Sequence, residues 1–227
     1  MHRNAGADAR PGEQVTQLRS LGLGELEGAQ ALHPIECLAL SCRMLFVPPA
    51  HDGGALNEKA HHTCVVYDVA NDTAVYGEAD VEGHALVWQL DDTPEDAAGA
   101  LVSRRVQLDR FADWVIRCDR VDFPPGGVAH THTHPGPGIR YLLHGELDVH
   151  ADGHCVSYGP GGAWFESGPE PVLAEASKHL PTAFVRVLVL PAEWAGKRTI
   201  SYVDPADHDR PKLQKATVYL EHALELR

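Results

Sequence analysis

The sequence predicts an all-β protein folded as a β-sandwich or a β-barrel. From residue 35 onward, the chain is a succession of short runs that are apolar or alternate between apolar and polar residues, as strands do. Turns such as Pro-Gly-Pro-Gly and Gly-Pro-Gly-Gly separate these runs at close spacing, which is typical of sandwiches and barrels. With 227 residues, 44% of them apolar, the chain can build one large all-β domain or two small ones.

The N-terminal half, residues 1–105, is predicted to be a β-rich region. Strands are expected at 35–47, 63–69, 73–76 and 84–90, and the Ala-Asn-Asp turn joins the second and third into a hairpin. Two arrangements are compatible with this pattern. The half is a degenerate second barrel, which the even division of strands between the halves favours, or its strands and a helix extend one barrel and support a dimer.

Two short helices are also expected in this half. One lies within residues 13–32, although three glycines weaken it. The other begins at the Thr-Pro-Glu-Asp segment 93–96, which has an N-cap threonine, proline at the first helical position and acids in the first turn. About two turns of helix are expected from there to residue 103.

The C-terminal half, residues 106–227, is predicted to hold a barrel and a C-terminal extension. Its strands are expected at 105–108, 113–121, 127–133, 139–150, 154–158, 163–166, 171–175, 182–190 and 199–203. The last segment, 215–226, is predicted as a terminal strand or helix.

Composition excludes several classes of partner. The 19 Lys and Arg residues against 32 Asp and Glu give a net charge of −13, which argues against binding to nucleic acid or to an anionic membrane. No run approaches the 18 apolar residues of a membrane span, and the N-terminus lacks the apolar core of a secretory signal. The five cysteines form no Cys-x-x-Cys pair, so a reducing, cytoplasmic location is expected.

The chain carries 15 histidines, and three of them alternate over residues 130–134, at the end of the strand predicted at 127–133. Alternate residues of a strand share a face, so His130, His132 and His134 are expected to point the same way. Neighbouring same-face residues lie about 6.6 Å apart, so two adjacent imidazoles can converge on one metal ion. The outer pair is about 13 Å apart, which is too far to share an ion unless the strand bulges.

Around this stretch the sequence resembles the first motif of the cupin superfamily, G(x)5HxH(x)3–4E(x)6G. Gly126, five residues and then His132-x-His134 match it, and Gly145 falls at its closing position. The Pro160-x-Gly162 segment resembles the second motif. The resemblance covers residues 110–203 and implies an RmlC-like double-stranded β-helix, a jelly-roll barrel with a metal at its mouth. It also allows a bicupin-like arrangement with a degenerate N-terminal barrel.

Two positions depart from the family pattern. The glutamate of the first motif would fall at Gly138, and the histidine of the second would fall near Val172. The resemblance therefore assigns only His132 and His134 as metal ligands. His130 and Glu166 are the candidates to complete the site, Glu166 because the second motif lies across the barrel from the first.

Arg140 is a further candidate for catalysis, together with Glu166. It has the same strand parity as Gly138, so it faces the cavity if that position does. An inward guanidinium is a natural clamp for a carboxylate, which makes a small carboxylate-type molecule the expected ligand. Tyr141, on the other parity, is expected to face outward or into an interface.

The resemblance favours a metal-dependent enzyme that acts on a small organic acid. One divalent transition metal, Fe, Mn, Ni, Cu or Zn, is the expected cofactor. Dioxygenase, isomerase, decarboxylase and lyase chemistry all remain open, and a homodimer is expected. The alternative is a non-catalytic binder or sensor that has kept the barrel and lost its metal.

Overall fold

The structure, a computed structural model, describes residues 37–48, 63–96 and 98–226. Fifteen strands in these ranges form three antiparallel five-stranded sheets. The strands are β1 (Cys37–Val47), β2 (Thr63–Asp68), β3 (Thr73–Tyr76), β4 (Ala85–Asp91), β5 (Val102–Asp109), β6 (Trp114–Phe123), β7 (Val128–Thr133), β8 (Gly138–His144), β9 (Leu147–Ala151), β10 (His154–Tyr158), β11 (Ala163–Glu166), β12 (Val172–Ala176), β13 (Thr182–Pro191), β14 (Ser201–Tyr202) and β15 (Lys215–Leu224).

The helices of the described ranges are two short 3-10 turns, Ala192–Trp194 and Pro205–His208. None of them is long and apolar enough to cross a membrane. The helix predicted within residues 13–32 lies outside the described residues.

Strands β6 to β13 belong to two facing sheets, and the chain changes sheet at each step except between β9 and β10, which form a hairpin. The middle sheet has the order β11-β8-β13-β6-β15, and the outer sheet has the order β10-β9-β12-β7-β14. The four-strand series β6-β13-β8-β11 therefore faces the series β7-β12-β9-β10, which is the strand order of a jelly roll. The predicted all-β fold class is confirmed.

The third sheet, which we call the N-terminal sheet, has the order β3-β2-β4-β1-β5 and packs on the other face of the middle sheet. The alternation along β13 explains how the middle sheet serves two cores. Val185 and Val187 pack into a cluster with Trp88 and other residues of the N-terminal sheet, whereas Phe184 packs toward the outer sheet. All of β13 up to Leu190 is buried, because both faces of its sheet are covered.

The described part of the N-terminal half is thus one open sheet. Its fifth strand, β5, runs through residue 105, where the sequence predicts a division into two regions. Residues 49–62 and the first 36 residues are outside the description, so the division and the degenerate second barrel remain predictions.

Most predicted strands appear within two residues of their expected bounds, and the terminal segment is the strand β15. The helix predicted at 93–103 is wrong, because the described residues up to 101 form turns and bends and β5 begins at Val102. Gly99 has a left-handed φ of +94°, and the Leu101 amide donates to the Met44 carbonyl over 2.8 Å. These features return the chain to the sheet edge before a helix can form.

The single strand predicted at 139–150 is also wrong, since β8 and β9 are separate. Gly145 lies between them with a left-handed φ of +82°, which L side chains rarely adopt. A Cβ atom there would also meet Pro181 and Thr182, so this turn requires glycine.

Candidate functional site

A cavity of about 420 Å³ lies inside the jelly roll, between the middle and outer sheets. Part of its wall is apolar and includes Phe123, Trp164 and Phe184 from the core of the barrel. Its polar wall includes His132, His134 and the side chains discussed below. The cavity therefore has room for a small ligand with an apolar body and a polar end.

His132 and His134 meet in this cavity, as the sequence predicts. Each residue is 4% exposed, and the two Nε2 atoms lie 3.2 Å apart. The Nδ1 atom of His132 lies 2.7 Å from the His130 carbonyl oxygen, and that of His134 lies 2.8 Å from the Thr199 carbonyl oxygen. Since a carbonyl only accepts, each Nδ1 carries the proton and donates it, and each Nε2 is left with a lone pair.

Both imidazoles are held in the neutral form. Burial lowers the pKa of His132, and burial followed by the charges of Arg186 and Arg140 lowers the pKa of His134 well below its usual range. Two neutral nitrogens therefore direct lone pairs at each other over 3.2 Å. A single ion bound to both at about 2.0–2.1 Å would satisfy both lone pairs, so the pair fits a transition metal.

His130 does not join this pair. Val172 pairs with His132, and Ala174 pairs with Ala129. A step of two residues along β12 therefore corresponds to a step of three residues along β7. This β-bulge shifts the strand parity between residues 129 and 132. The His130 ring does not line the cavity, and the residue contributes its backbone carbonyl to His132 instead. The shared face predicted for all three histidines is therefore wrong.

Glu166 does reach the pair. Its Oε2 atom lies 3.5 Å from His134 Nε2, and its Oε1 atom accepts from the Trp164 indole over 2.9 Å. Oε2 also lies 2.6 Å from Arg140 Nη2, but the two groups are not aligned as a hydrogen bond. One buried carboxylate oxygen thus faces the histidines with unused hydrogen-bonding capacity.

Within the described ranges, however, no three His, Cys, Asp or Glu side chains already form a group that could hold a metal. The Nε2 atoms of the two histidines already face each other, and Glu166 is a third group beside them. The position at which the resemblance expects a third histidine is Val172, which lines the cavity and pairs with His132.

Arg140 has the predicted parity but not the predicted contact. Its neighbour Tyr141 packs against the N-terminal sheet, so Arg140 points into the barrel. The Arg140 side chain is fully buried, and its two terminal nitrogens are engaged with the Gly138 carbonyl and Glu166. Burial lowers its pKa to about 10, so it stays charged at neutral pH. Since it does not line the cavity, the clamp predicted on Arg140 is wrong.

A different arginine, Arg186 of β13, lines the cavity. Its Nε atom lies 2.6 Å and its Nη2 atom 3.2 Å from the two carboxylate oxygens of Asp119, which fixes the guanidinium. Its Nη1 atom lies 3.5 Å from His134 Nε2. A cation is thereby held beside the histidine pair. The sequence did not identify Arg186 as a cavity residue, because no feature of the apolar run that contains it indicates that this arginine points into the barrel.

Sequence reasoning also missed the segment 195–214, which we call the strap. It follows β13, pairs with β7 through β14, and contributes Lys197, Arg198, Thr199, Lys212 and Gln214 to the cavity wall. In total the wall carries five Lys and Arg residues against two acids, Asp119 and Glu166. The cavity is therefore cationic in a protein of net charge −13.

The strand order decides the architecture, and the His-x-His pair at the end of β7 lines the interior of the barrel. The fold is a jelly roll, the barrel that the resemblance to the cupins implies. Within this barrel, Pro160 and Gly162 occupy the turn before β11, as the resemblance to the second motif implies.

Comparisons with known proteins found partial similarity to two solved structures. No family model and no curated protein matches the chain. An RmlC-like cupin from Shewanella frigidimarina is 16% identical over 39% of this chain and 74% of its own, with a TM-score of 0.32. The polyketide cyclase RemF from Streptomyces resistomycificus is 20% identical over 46% of this chain and 74% of its own, with a TM-score of 0.33. The assignment therefore rests on strand order.

Proposed function

We propose that this protein is a metal-dependent enzyme that acts on a small organic acid, with the metal bound by His132, His134 and Glu166. The observation that carries the proposal is the 3.2 Å separation of two unprotonated, buried Nε2 atoms whose Nδ1 atoms are both anchored to backbone carbonyls. Two histidines and one carboxylate, with other positions open, are a ligand set of non-haem iron enzymes and also suit Mn, Ni, Cu and Zn.

The bound metal would polarise a substrate oxygen or activate O₂ or water. The side chains of the protein position the ligands and bind the substrate. Arg140 is a positioning residue in this proposal, because its ion pair holds the Glu166 carboxylate beside the histidines. Trp164 fixes the other carboxylate oxygen.

Arg186 takes the role of the acid-binding residue. Two of its nitrogens are held by Asp119, and its Nη1 is directed toward His134. A ligand carboxylate at this edge of the guanidinium would lie next to the metal ligands. The apolar wall of the cavity around Phe184 would exclude water from the reacting group.

The alternative function is a non-catalytic small-molecule binder or sensor. Two observations favour it: Val172 replaces a potential third imidazole, and the described side chains form no complete three-ligand group. Both functions would use the same cavity, but only the enzyme requires a bound metal.

Metal content distinguishes them. The purified chain is incubated in turn with Fe, Mn, Ni, Cu and Zn, dialysed and analysed by elemental mass spectrometry. We expect about one ion per chain for at least one metal, and loss of that ion when His132→Ala and His134→Ala are combined. His130→Ala is the matched control, because its ring belongs to the same strand but not to the cavity. A chain that takes up none of the metals, or a double variant that keeps the ion, overturns the enzyme proposal.

A further inference from the structure

The side-chain amide of Gln214 has no hydrogen-bond partner among the described residues. Both its Nε2 and Oε1 atoms are inaccessible to solvent, and the residue lines the cavity. A primary amide offers two donors and two acceptor sites, and buried groups of this kind nearly always have partners. The donors and acceptors of the Gln214 amide are therefore not used by any protein group in the described ranges.

The strap that carries Gln214 is fixed to the barrel rather than loose. Arg117 of β6 donates to the Trp194 and Lys197 carbonyls and pairs with Glu221. Glu221 in turn accepts from the Gly196 amide over 2.9 Å. At the far end of the strap, the Lys212 ammonium donates to the carbonyls of residues 207, 208 and 210. Its cavity-lining side chains therefore have defined positions.

Two exposed cations of the strap stand on the cavity wall, Lys197 and Arg198. Lys197 makes no ion pair in the described part of the chain, and Arg198 donates to the Tyr202 hydroxyl, a neutral partner. Their charge is thus not cancelled locally, unlike that of Arg117 or Arg186. Uncompensated cations at an opening raise the local concentration of anions and the rate at which they enter.

We propose that the strap determines which acid the cavity accepts. Lys197 and Arg198 attract an organic anion, the apolar wall takes its body, and the Gln214 amide hydrogen-bonds an uncharged hydroxyl, carbonyl or amide group of it. The ligand class is an amphipathic carboxylate that bears a neutral polar substituent. This inference rests on the organic-acid part of the proposed function and does not require the metal.

The test uses 2-naphthoate and its 1-, 3- and 6-hydroxy derivatives, which are isomers of one another, as fluorescent probes titrated into the full chain after treatment with a chelator. Wild type is expected to bind 2-naphthoate, and at least one hydroxy isomer about tenfold more tightly. Gln214→Leu is expected to remove that gain while changing the affinity for 2-naphthoate less than about twofold. Gln214→Met serves as a second variant, and a thermal melt confirms that each is folded.

The cations are tested with Lys197→Gln combined with Arg198→Gln. The double variant is expected to bind all the naphthoates about tenfold more weakly and to show a smaller dependence on salt. Lys178→Gln, an exposed lysine in the turn before β13, is the matched control and should bind as wild type does.

The role of Gln214 is overturned if Gln214→Leu still binds a hydroxynaphthoate about tenfold more tightly than 2-naphthoate. It is also overturned if no hydroxynaphthoate binds wild type more tightly than 2-naphthoate does. Equal affinity for 2-naphthoate and the uncharged 2-naphthalenemethanol overturns the role of the cations. Because the probes are titrated without metal, these failures are separate from a failure to bind metal, which the elemental analysis reports.

Discussion

Glu166 lies directly across the β8–β11 ladder from Gly138. Gly138 is the position at which the resembled cupin motif carries its glutamate. The carboxylate thus comes from the neighbouring strand, at the same level of the sheet. A Cβ atom at residue 138 would lie 2.6 Å from Leu188 Cδ2 and 3.2 Å from Arg140 Nη1, and closer still to the Val187 carbonyl. The space of the expected side chain is occupied by Arg140 and Leu188.

Gly138→Ala is expected to destabilise the fold. The added methyl group meets backbone as well as a packed leucine, so the free energy of unfolding should fall by about 2 kcal/mol. Urea denaturation measures this. Gly159→Ala is the control, since its Cβ atom would have no heavy atom within 4 Å, and it should change stability by less than about 0.5 kcal/mol. Equal effects of the two substitutions would contradict the crowding at Gly138.

Arg140→Met is expected to lower the free energy of unfolding by about 3 kcal/mol. The substitution leaves the Glu166 carboxylate, only 15% exposed, without its cation. Adding Glu166→Gln removes the stranded charge, so the double variant should lose only about 1 kcal/mol relative to wild type. A double variant that is less stable than Arg140→Met would show that the pair is not the reason for the loss.

Glu166→Gln is expected to weaken metal binding by about a hundredfold. The Oε2 atom near His134 would become an amide group, a poor ligand for a transition metal. Competition of the protein with a chelating dye for Zn²⁺ measures the change, with His130→Ala as the unaffected reference. Unchanged affinity would leave the two histidines as the only protein ligands.

Asp72 links the N-terminal sheet to the middle sheet. It accepts from the Tyr67 hydroxyl, from the Tyr219 hydroxyl over 2.5 Å and from Arg120 over 3.1 Å. Burial alone would raise the pKa of Asp72, but the hydrogen bonds from Tyr219 and Tyr67 and the charge of Arg120 outweigh it and lower the pKa. The folded state therefore favours the ionised carboxylate.

The sign of the pH dependence follows. A pKa below the unfolded value of 3.8 contributes stability at higher pH that is lost as the pH falls through the folded pKa. Asp72→Asn should lower the free energy of unfolding by about 1 kcal/mol at neutral pH. The difference in unfolding free energy between the variant and wild type should become smaller as the pH falls from about 5 to about 3. Urea denaturation across this range measures both, with Asp80→Asn, an exposed acid, as control. A constant gap would rule out the ionised form as the source of stability.

The strand pattern and the histidine pair were predictable because each depends on local spacing. Two-residue periodicity places His132 and His134 on one face wherever the strand is regular. The orientation of His130 could not be predicted, because the bulge that turns its ring away is defined by the register with β12, a strand 40 residues later. Nothing in the residues around the histidines marks that extra residue.

The sequence also could not predict contacts between side chains of distant strands. Parity correctly pointed Arg140 inward, but its partner Glu166 comes from β11, and the sequence could not tell a clamp for ligands from a support for a carboxylate. Gln214 carries no motif at all. Only the packing of the strap reveals that its amide is buried without a partner.

The middle sheet, covered on both faces, makes the barrel dependent on the residues that precede it. The Trp88 indole donates to the carbonyl of Ile139, between Gly138 and Arg140, so the N-terminal sheet braces the strand that supports Glu166. A fragment that begins at residue 106 would keep every cavity-lining side chain and lose that brace. It would also present Ile116, Ile139, Val185 and Val187 to water as one contiguous apolar surface. Such a fragment would self-associate or aggregate, so the half of the chain that holds the cavity cannot be excised as a minimal domain.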